Sequence, residues 1–323
     1  MNKHTFAALM LLVPAFLGLA SAQELPQPQK LLDAATKLSD LSGLYPYQFN
    51  AHVVLNRGTT VEKSGTLTIY RDKTNYRYEL QIGDYREVVM REGDRLYTYY
   101  SAFPAAGLGS LRSIDKWPKE LASKNIAGRT VKKKVEHVED YCVDFKAGPG
   151  WRLRGCFDPA QFSLLEVSSE EQTTSFLNYQ HIGEQLFPGA IRIVRTDPGQ
   201  TVELNDIHIQ KLPPGPATFE IPRGGREFQT CDDEQPAERV TPAFSNPALV
   251  PVYRANPIVA YFYAVIDEQG KMHDLAVYSP SHHEDEWKKL TELWRFKPAM
   301  CGGKPIASEW QNSVVVTVRP NQR

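Results

Sequence analysis

From Tyr47 onward, apolar and polar residues alternate with a period of two. The segments YQFNAHVVL, SGTLTIYRD, NYRYELQI, YREVVMREG and DRLYTYYS follow closely, broken at Arg57-Gly58, Asp72-Lys73, Gly83-Asp84 and Gly93-Asp94. Successive strand side chains point to opposite faces, so the pattern predicts half-buried strands, and the Gly/Asp breaks predict tight hairpins. A gap with Pro104 and Gly107 follows, then a short helix expected around Ser110 to Leu121. The alternation resumes in TVKKKVEHVEDYCVDFKA, WRLRGCFD, SLLEVSSEE, TTSFLNYQHI, GAIRIVRTD and QTVELNDIHIQKL, and ATFEIPRGG closes the region near Arg223. The whole reads as an antiparallel meander. Ahead of it, QPQKLLDAATKLSDLSGLYPY sets Leu31, Ala35, Leu38 and Leu41 on one face of a helical wheel. That spacing predicts an amphipathic helix ending near Ser42-Gly43.

Residues Thr230 to Asn256 have little periodicity and much Pro, Asp and Glu, the pattern of a linker. Beyond it, IVAYFYAVID reads as a strand, EQGK as a tight turn and MHDLAVYS as the antiparallel partner. Ser281-His282-His283-Glu284 fits a capping box, and Asp285 and Glu286 suit the positive end of a helix running to about Leu293. Pro298 stops continuation, Gly302-Gly303 turns the chain, and SVVVTV is the last strand. The expected class is α+β, with an N-terminal antiparallel unit over 28–223, a linker over 224–248 and a strand-strand-helix-strand unit over 249–320.

The first residues add a compartment. Lys3 and His4 precede an apolar run from Phe6 to Ala20, then Ala20-Ser21-Ala22 and polar Gln23-Glu24. This is the layout of a secretory signal peptide over 1–22, cleaved after Ala22. About 20 apolar residues are needed to span a bilayer; this run is shorter and carries Pro14. Cleavage takes the formal charge from −1 to −2, so no strong field favours nucleic acid or anionic lipid. The four cysteines, Cys142, Cys156, Cys231 and Cys301, all lie in the exported part. An even number in an oxidising compartment reads as disulfides. Cys142 and Cys156 flank a turn at Gly148-Pro149-Gly150 and so face each other across a hairpin, which leaves Cys231 for Cys301.

Catalytic spacing is absent: there is no G-x-S-x-G elbow, no Walker loop and no H-E-x-x-H. His282-His283 beside Glu284, Asp285 and Glu286 is the best metal candidate. Neighbouring helical histidines point different ways and no third ligand is placed by spacing, so a solvated helix start is the better account. No catalytic residue, metal or cofactor is expected. Lys132 to Lys134 on a strand suit a protected sheet edge better than a nucleic-acid patch. The tyrosines between Tyr76 and Tyr100 alternate with Arg, Glu and Asp. A sheet with one buried and one wet face accounts for them; a curved sheet whose concave face is incompletely filled, leaving a lipid-sized pocket, is the sharper alternative. Composition does not separate the two.

Two resemblances go further. Val265 to Ser279, the helix, Trp294-Arg295-Phe296-x-Pro298-Ala299, the Gly302-Gly303-Lys304-Pro305 turn and the final VVVTV together resemble the TonB C-terminal domain family, over about 249–319. In that motif Trp294, Phe296, Pro298, Gly302 and Gly303 are structural, capping a small core and fixing a turn. The resemblance implies binding by strand addition, in which main-chain hydrogen bonds hold an extended peptide of an outer-membrane transporter or other envelope protein. The matching edge is Ser313, Val314, Val315, Val316, Thr317 and Val318.

The N-terminal part is similar to the lipoprotein-carrier and outer-membrane lipoprotein-sorting superfamily, which includes periplasmic regulators of the sigma-E response. The residues behind this are the leading helix, SGTLTIYRD with NYRYEL, YREVVMREGDRLYTYY, and FEIP at Phe219 to Pro222, within about 28–222. It implies a half-barrel of antiparallel strands with covering helices and an apolar cavity for acyl chains. The combined expectation is a periplasmic, non-enzymatic binding protein: the half-barrel holds a lipid or lipoprotein, and the C-terminal module docks an envelope partner. The alternative is a TonB-type energy transducer anchored in the inner membrane, which requires the signal segment to stay uncleaved.

Overall fold

The computed structural model describes residues 25–57, 60–102, 108–135, 138–148, 151–170, 172–195, 200–212, 219–231, 233–241, 258–279 and 284–316. The signal segment, Pro149-Gly150, the histidine pair at 282–283, and Thr317 and Val318 lie outside them. Among the described residues no helix is long and apolar enough to cross a membrane.

The first meander is β1 (Tyr47–Arg57), β2 (Thr60–Arg71), β3 (Tyr76–Ile82), β4 (Tyr85–Glu92) and β5 (Arg95–Tyr100). After β6 (Asn125–Ile126) and β7 (Val131–Val135) come β8 (Val138–Gly148), β9 (Trp151–Phe157), β10 (Leu164–Ser168), β11 (Gln172–Ile182), β12 (Gln185–Arg195) and β13 (Gln200–Lys211). Two-residue hairpins join β3 to β4 and β4 to β5, with Gly83 and Gly93 at positive φ, as such turns require. Gly65 on β2 is needed for a different reason: a Cβ there would fall 1.7 Å from the Gln81 carbonyl oxygen on β3.

The two meanders become one sheet because β1 also pairs with β13, from Tyr47–Lys211 to Arg57–Gln200. The resulting order is β14-β5-β4-β3-β2-β1-β13-β12-β11-β10-β9-β8-β6, with β7 also on β8 and β14 (Arg226–Gln229) added at the β5 edge. Antiparallel pairs run throughout, and the two ends do not meet. One face carries Phe49, Val53, Leu67, Ile69, Tyr78, Leu80, Phe145 and Phe187, all at most 1 % exposed. It is covered by α1 (Pro28–Leu38), 3-10 turns at Leu41–Leu44 and Gly109–Lys116, and α2 (Lys119–Ala122). Leu31, Leu32, Leu111, Ile114 and Leu121 press into the same core. The leading helix ends earlier than its periodicity predicts. Ser39 closes on the Ala35 carbonyl, and the Asp40 carboxylate accepts the Ser42 N–H, which a continued helix would need.

The second unit has strand order β17-β16-β21, formed by β16 (Ile258–Ile266), β17 (Met272–Tyr278) and β21 (Ser308–Val316), with α3 (Glu284–Thr291) between β17 and β21 in sequence. Its core combines Phe262, Trp287, Leu290, Trp294, Phe296 and Trp310. The Trp294 ring lies 4.9 Å from Phe262 and 5.7 Å from Trp310, and the Arg239 guanidinium sits 4.5 Å above it. Pro298 separates β18 (Phe296–Lys297) from β19 (Ala299–Cys301), and Gly302 and Gly303, both at positive φ, join β19 to β20 (Lys304–Ile306). The last strand therefore starts at Ser308, five residues before the sequence pattern places it. Glu309, Gln311 and Asn312 hide that start by breaking the apolar run. The segment read as a linker is partly built into sheets. β14 joins the large sheet, Gln235 bridges Met300, and β15 (Glu238–Arg239) pairs β18.

Trp294 is 3 % exposed and central to the small core. Trp294→Ala in the full chain is expected to cost about 3–5 kcal/mol, as for other buried aromatic truncations. Chemical denaturation followed by the loss of C-terminal tertiary signal measures it; an unchanged midpoint would refute the assignment.

Candidate functional site

The concave wall of the sheet is closed by the 109–116 segment, and two ion pairs of opposite polarity hold that segment. The cover supplies Asp115 to Arg71 at the end of β2: Nε and Nη2 donate to the two carboxylate oxygens at 2.6 and 3.1 Å. It also supplies Arg112 to Glu87 on β4, with Nη2 2.6 Å from the carboxylate. Tyr47 donates to Asp115 at 2.8 Å, and Tyr76 donates to the Arg112 carbonyl. The Asp115 side chain is fully buried and that of Glu87 is 3 % exposed. Burial works against the charge of Arg71, but Asp115 outweighs it and holds the guanidinium above its usual range. Arg112 follows the same logic with Glu87. Burial raises the Tyr47 phenol, and the Asp115 charge raises it further.

Among the described residues little space remains under the cover. The apolar void lined by Ile114, Trp117, Leu164, Phe176 and Phe187 amounts to about 10 Å³. A larger cleft of about 410 Å³ opens beside the cover, between the end of α1 and α2. Tyr45 and Tyr47, with rings parallel within 6° at 5.6 Å, form one wall, and Arg71 with Asp115 lies at its base. Asp40, Leu41, Lys116, Lys119, Glu120 and the hydroxyls of Thr36, Ser39, Ser42 and Ser123 complete the lining.

A third feature is the seam between the units. Alternate residues of β16, Tyr261 and Tyr263, face away from the small core. The Tyr263 ring meets Tyr100 of β5 at 5.5 Å, and the Arg195 guanidinium at the end of β12 lies 5.7 Å from Tyr261. Glu309 on β21 gathers the seam. Its carboxylate accepts from Thr98 and Tyr100 at 2.8 Å and from Tyr263 at 2.9 Å, and lies 4.0 Å from Arg112. Arg112 also donates to the Tyr100 hydroxyl at 2.6 Å, so the seam continues into the cover.

Of the residues singled out from sequence, Cys142–Cys156 and Cys231–Cys301 are the two disulfides, paired as read. The first joins β8 to β9; the second ties the strap after β14 to the β19–β20 hairpin. Asp233 lies within 4.8 Å of both sulfurs of the second bridge, but those sulfurs are bonded to each other. Ser313 to Val316 belong to β21, which pairs β16 on one side and no other strand among the described residues. Arg71, Glu87, Arg112, Asp115 and Glu309 escaped the sequence reading, since their partners are remote in the chain. The available signal was parity. Arg71 continues the inward positions Leu67 and Ile69, and Glu87 stands between inward Tyr85 and Val89.

No known family profile matches the chain, and no curated protein matches it in sequence. Solved structures do align with it. A LolA superfamily protein from Nitrosomonas europaea is 11 % identical and covers 61 % of this chain and 98 % of its own, with a TM-score of 0.45. An outer membrane lipoprotein-sorting protein domain from Vibrio parahaemolyticus is 13 % identical over 58 % and 94 %, with a TM-score of 0.39. The MucA/MucB complex of Pseudomonas aeruginosa is 12 % identical over 88 % and 93 %, with a TM-score of 0.29. Scores this low carry no weight for function. None of these is a TonB domain, and the comparisons do not support a TonB-type energy transducer.

Two variants probe the polar framework. Asp115→Asn leaves Arg71 buried without its counter-charge, so a loss of about 3–5 kcal/mol in unfolding free energy is expected; a neutral result would mean that solvent reaches Arg71. Glu309→Ala leaves three hydroxyls without their shared acceptor. It is expected to raise amide exchange in β5 and the 109–116 cover together; exchange confined to β21 would show that the seam does not reach the cover.

Proposed function

We propose that the chain is an exported, periplasmic, non-enzymatic binding protein whose half-barrel takes an apolar ligand beneath the 109–122 cover. The supporting observation is the nature of that cover. It is short, largely 3-10, and held through Arg112 and Asp115 by charged groups that water or a polar ligand end can satisfy once released. Leu111, Ile114 and Leu121 are its apolar anchors. Exposing them costs roughly 5–9 kcal/mol, and about ten methylenes laid on the wall at ~0.8 kcal/mol each offset this. An acyl chain or lipoprotein anchor is long enough. The two disulfides fit an oxidising compartment.

The partner-binding side of the reading rests on β21. Of the two edges of the small sheet, β17 is unsuited to a new strand: Asp274 has a φ of 51°, the register breaks opposite it, and Arg226 holds it at 2.8 Å. β21 lacks those obstacles, which suits strand addition by an envelope protein, an outer-membrane transporter among them.

Native mass spectrometry of full-length protein from the cell-envelope fraction tests the ligand reading. An adduct of lipid or lipopeptide mass is expected; bare, folded protein would overturn it. Val315→Pro and Val316→Pro test the edge. Neighbouring N–H groups of a strand face opposite sides, so one substitution removes an outward donor and the other breaks the β16 ladder. One variant should lose crosslinking to envelope proteins at unchanged stability. Crosslinking that survives in both folded variants would end the strand-addition reading.

A further inference from the structure

The cleft beside the cover is built differently from the wall beneath it. Arg71 uses Nε and Nη2 on Asp115, while Nη1 makes no hydrogen bond among the described residues. Neither Lys116 nor Lys119 has a carboxylate within 4 Å among them. The acids of the lining are largely occupied: Asp115 by Arg71 and Tyr47, and Asp40 by the N–H and hydroxyl of Ser42 at 3.0 and 2.9 Å. Glu120, and Asp40 whose two donors are neutral, are the carboxylates left to balance the two ammonium groups. The Lys116 ammonium also lies 6.0 Å from the centre of the Tyr76 ring.

From this arrangement we infer that the cleft is an oxyanion site for a phosphate ester, with Lys116, Lys119 and Arg71 Nη1 as its donors. A guanidinium fixed by one carboxylate and keeping a free nitrogen is already oriented, so less order is lost when an anion arrives. Burial and the neighbouring Arg71 charge press the Lys116 ammonium below its usual pKa, a strain that a bound anion relieves. The half-buried Tyr45 ring, backed by the buried Tyr47 ring, offers a flat wall to the organic part of the ester, and about 410 Å³ falls within the range of small-molecule pockets. The site uses the outer side of the cover and needs the Asp115–Arg71 pair in place, whereas the apolar ligand needs the cover lifted; ester binding reads the first and adduct mass the second, so either can fail alone.

The ester has two possible sources, a soluble metabolite or a lipid headgroup, and one titration series separates them. Full-length protein is titrated with glycerol 3-phosphate by calorimetry, and floated with vesicles of phosphatidylcholine with and without phosphatidylglycerol. The same is done for Lys116→Gln/Lys119→Gln, and for Lys288→Gln/Lys289→Gln, which removes equal charge from α3. Binding of glycerol 3-phosphate that weakens tenfold or more in the cleft variant, and holds in the α3 variant, establishes the site with a soluble ester. Flotation with phosphatidylglycerol alone, lost in the cleft variant, establishes it with a headgroup. Absence of both, or equal weakening in the two variants, overturns the proposal. Circular dichroism and a thermal melt confirm that each variant is folded, and Lys119→Gln alone serves if the double variant is not.

Discussion

The covering of the half-barrel's buried face depends on how one eight-residue segment is pinned to the sheet. Gly109–Lys116 offers a cation to β4 and an anion to β2, and each finds its opposite on the wall. Buried ion pairs of this kind add little net stability over well-packed apolar residues. Their strength is in orientation. A segment rotated or shifted by one position would bury Arg112 or Asp115 unpaired, at a cost of several kcal/mol, so the polarity of the two pairs selects one placement. The base of the cleft, the filling of the wall and the continuation of the seam all follow from that placement.

The two units are joined by more than chain. β14 extends the large sheet, Cys231 is bonded to Cys301, and β15 lies against β18, so the strap belongs to both. The Glu309 carboxylate supplies a second tie, with donors from β5 and β16 and a cation from the cover within reach. The Glu309 carboxylate thus stands between β21 and the cover, 4.0 Å from Arg112.

Much of this architecture is legible in the residues. Period-two alternation marks the long strands, Gly83 and Gly93 mark hairpins, and the Cys142–Cys156 pairing follows from a turn between two strands. These are local signals, each carried within a dozen or so residues. What is not legible is non-local. Nothing in YQFNAHVVL says that its free edge will meet QTVELNDIHIQKL rather than another strand of similar pattern. β14 hides in a segment whose composition suggests a linker, because four residues are too few to show a period. The charged clamp is hidden for the opposite reason: Arg71 and Glu87 look like ordinary polar members of alternating strands, and their burial depends on a cover encoded elsewhere.

That missing information also bears on how the fold is reached. The pairing of Tyr47 with Lys211 turns two meanders into one wall, yet it joins strands at opposite ends of the unit. A chain emerging from its N-terminus presents the open edge of β1 throughout the synthesis of everything up to β13. Until then the first five strands form a partial sheet with an unpaired, apolar border, a surface prone to misassociation. Loop-closure entropy must be met before that border is covered, which places the molecule among slow-folding topologies. A change at the β1–β13 junction would therefore be felt in folding speed as well as in final stability.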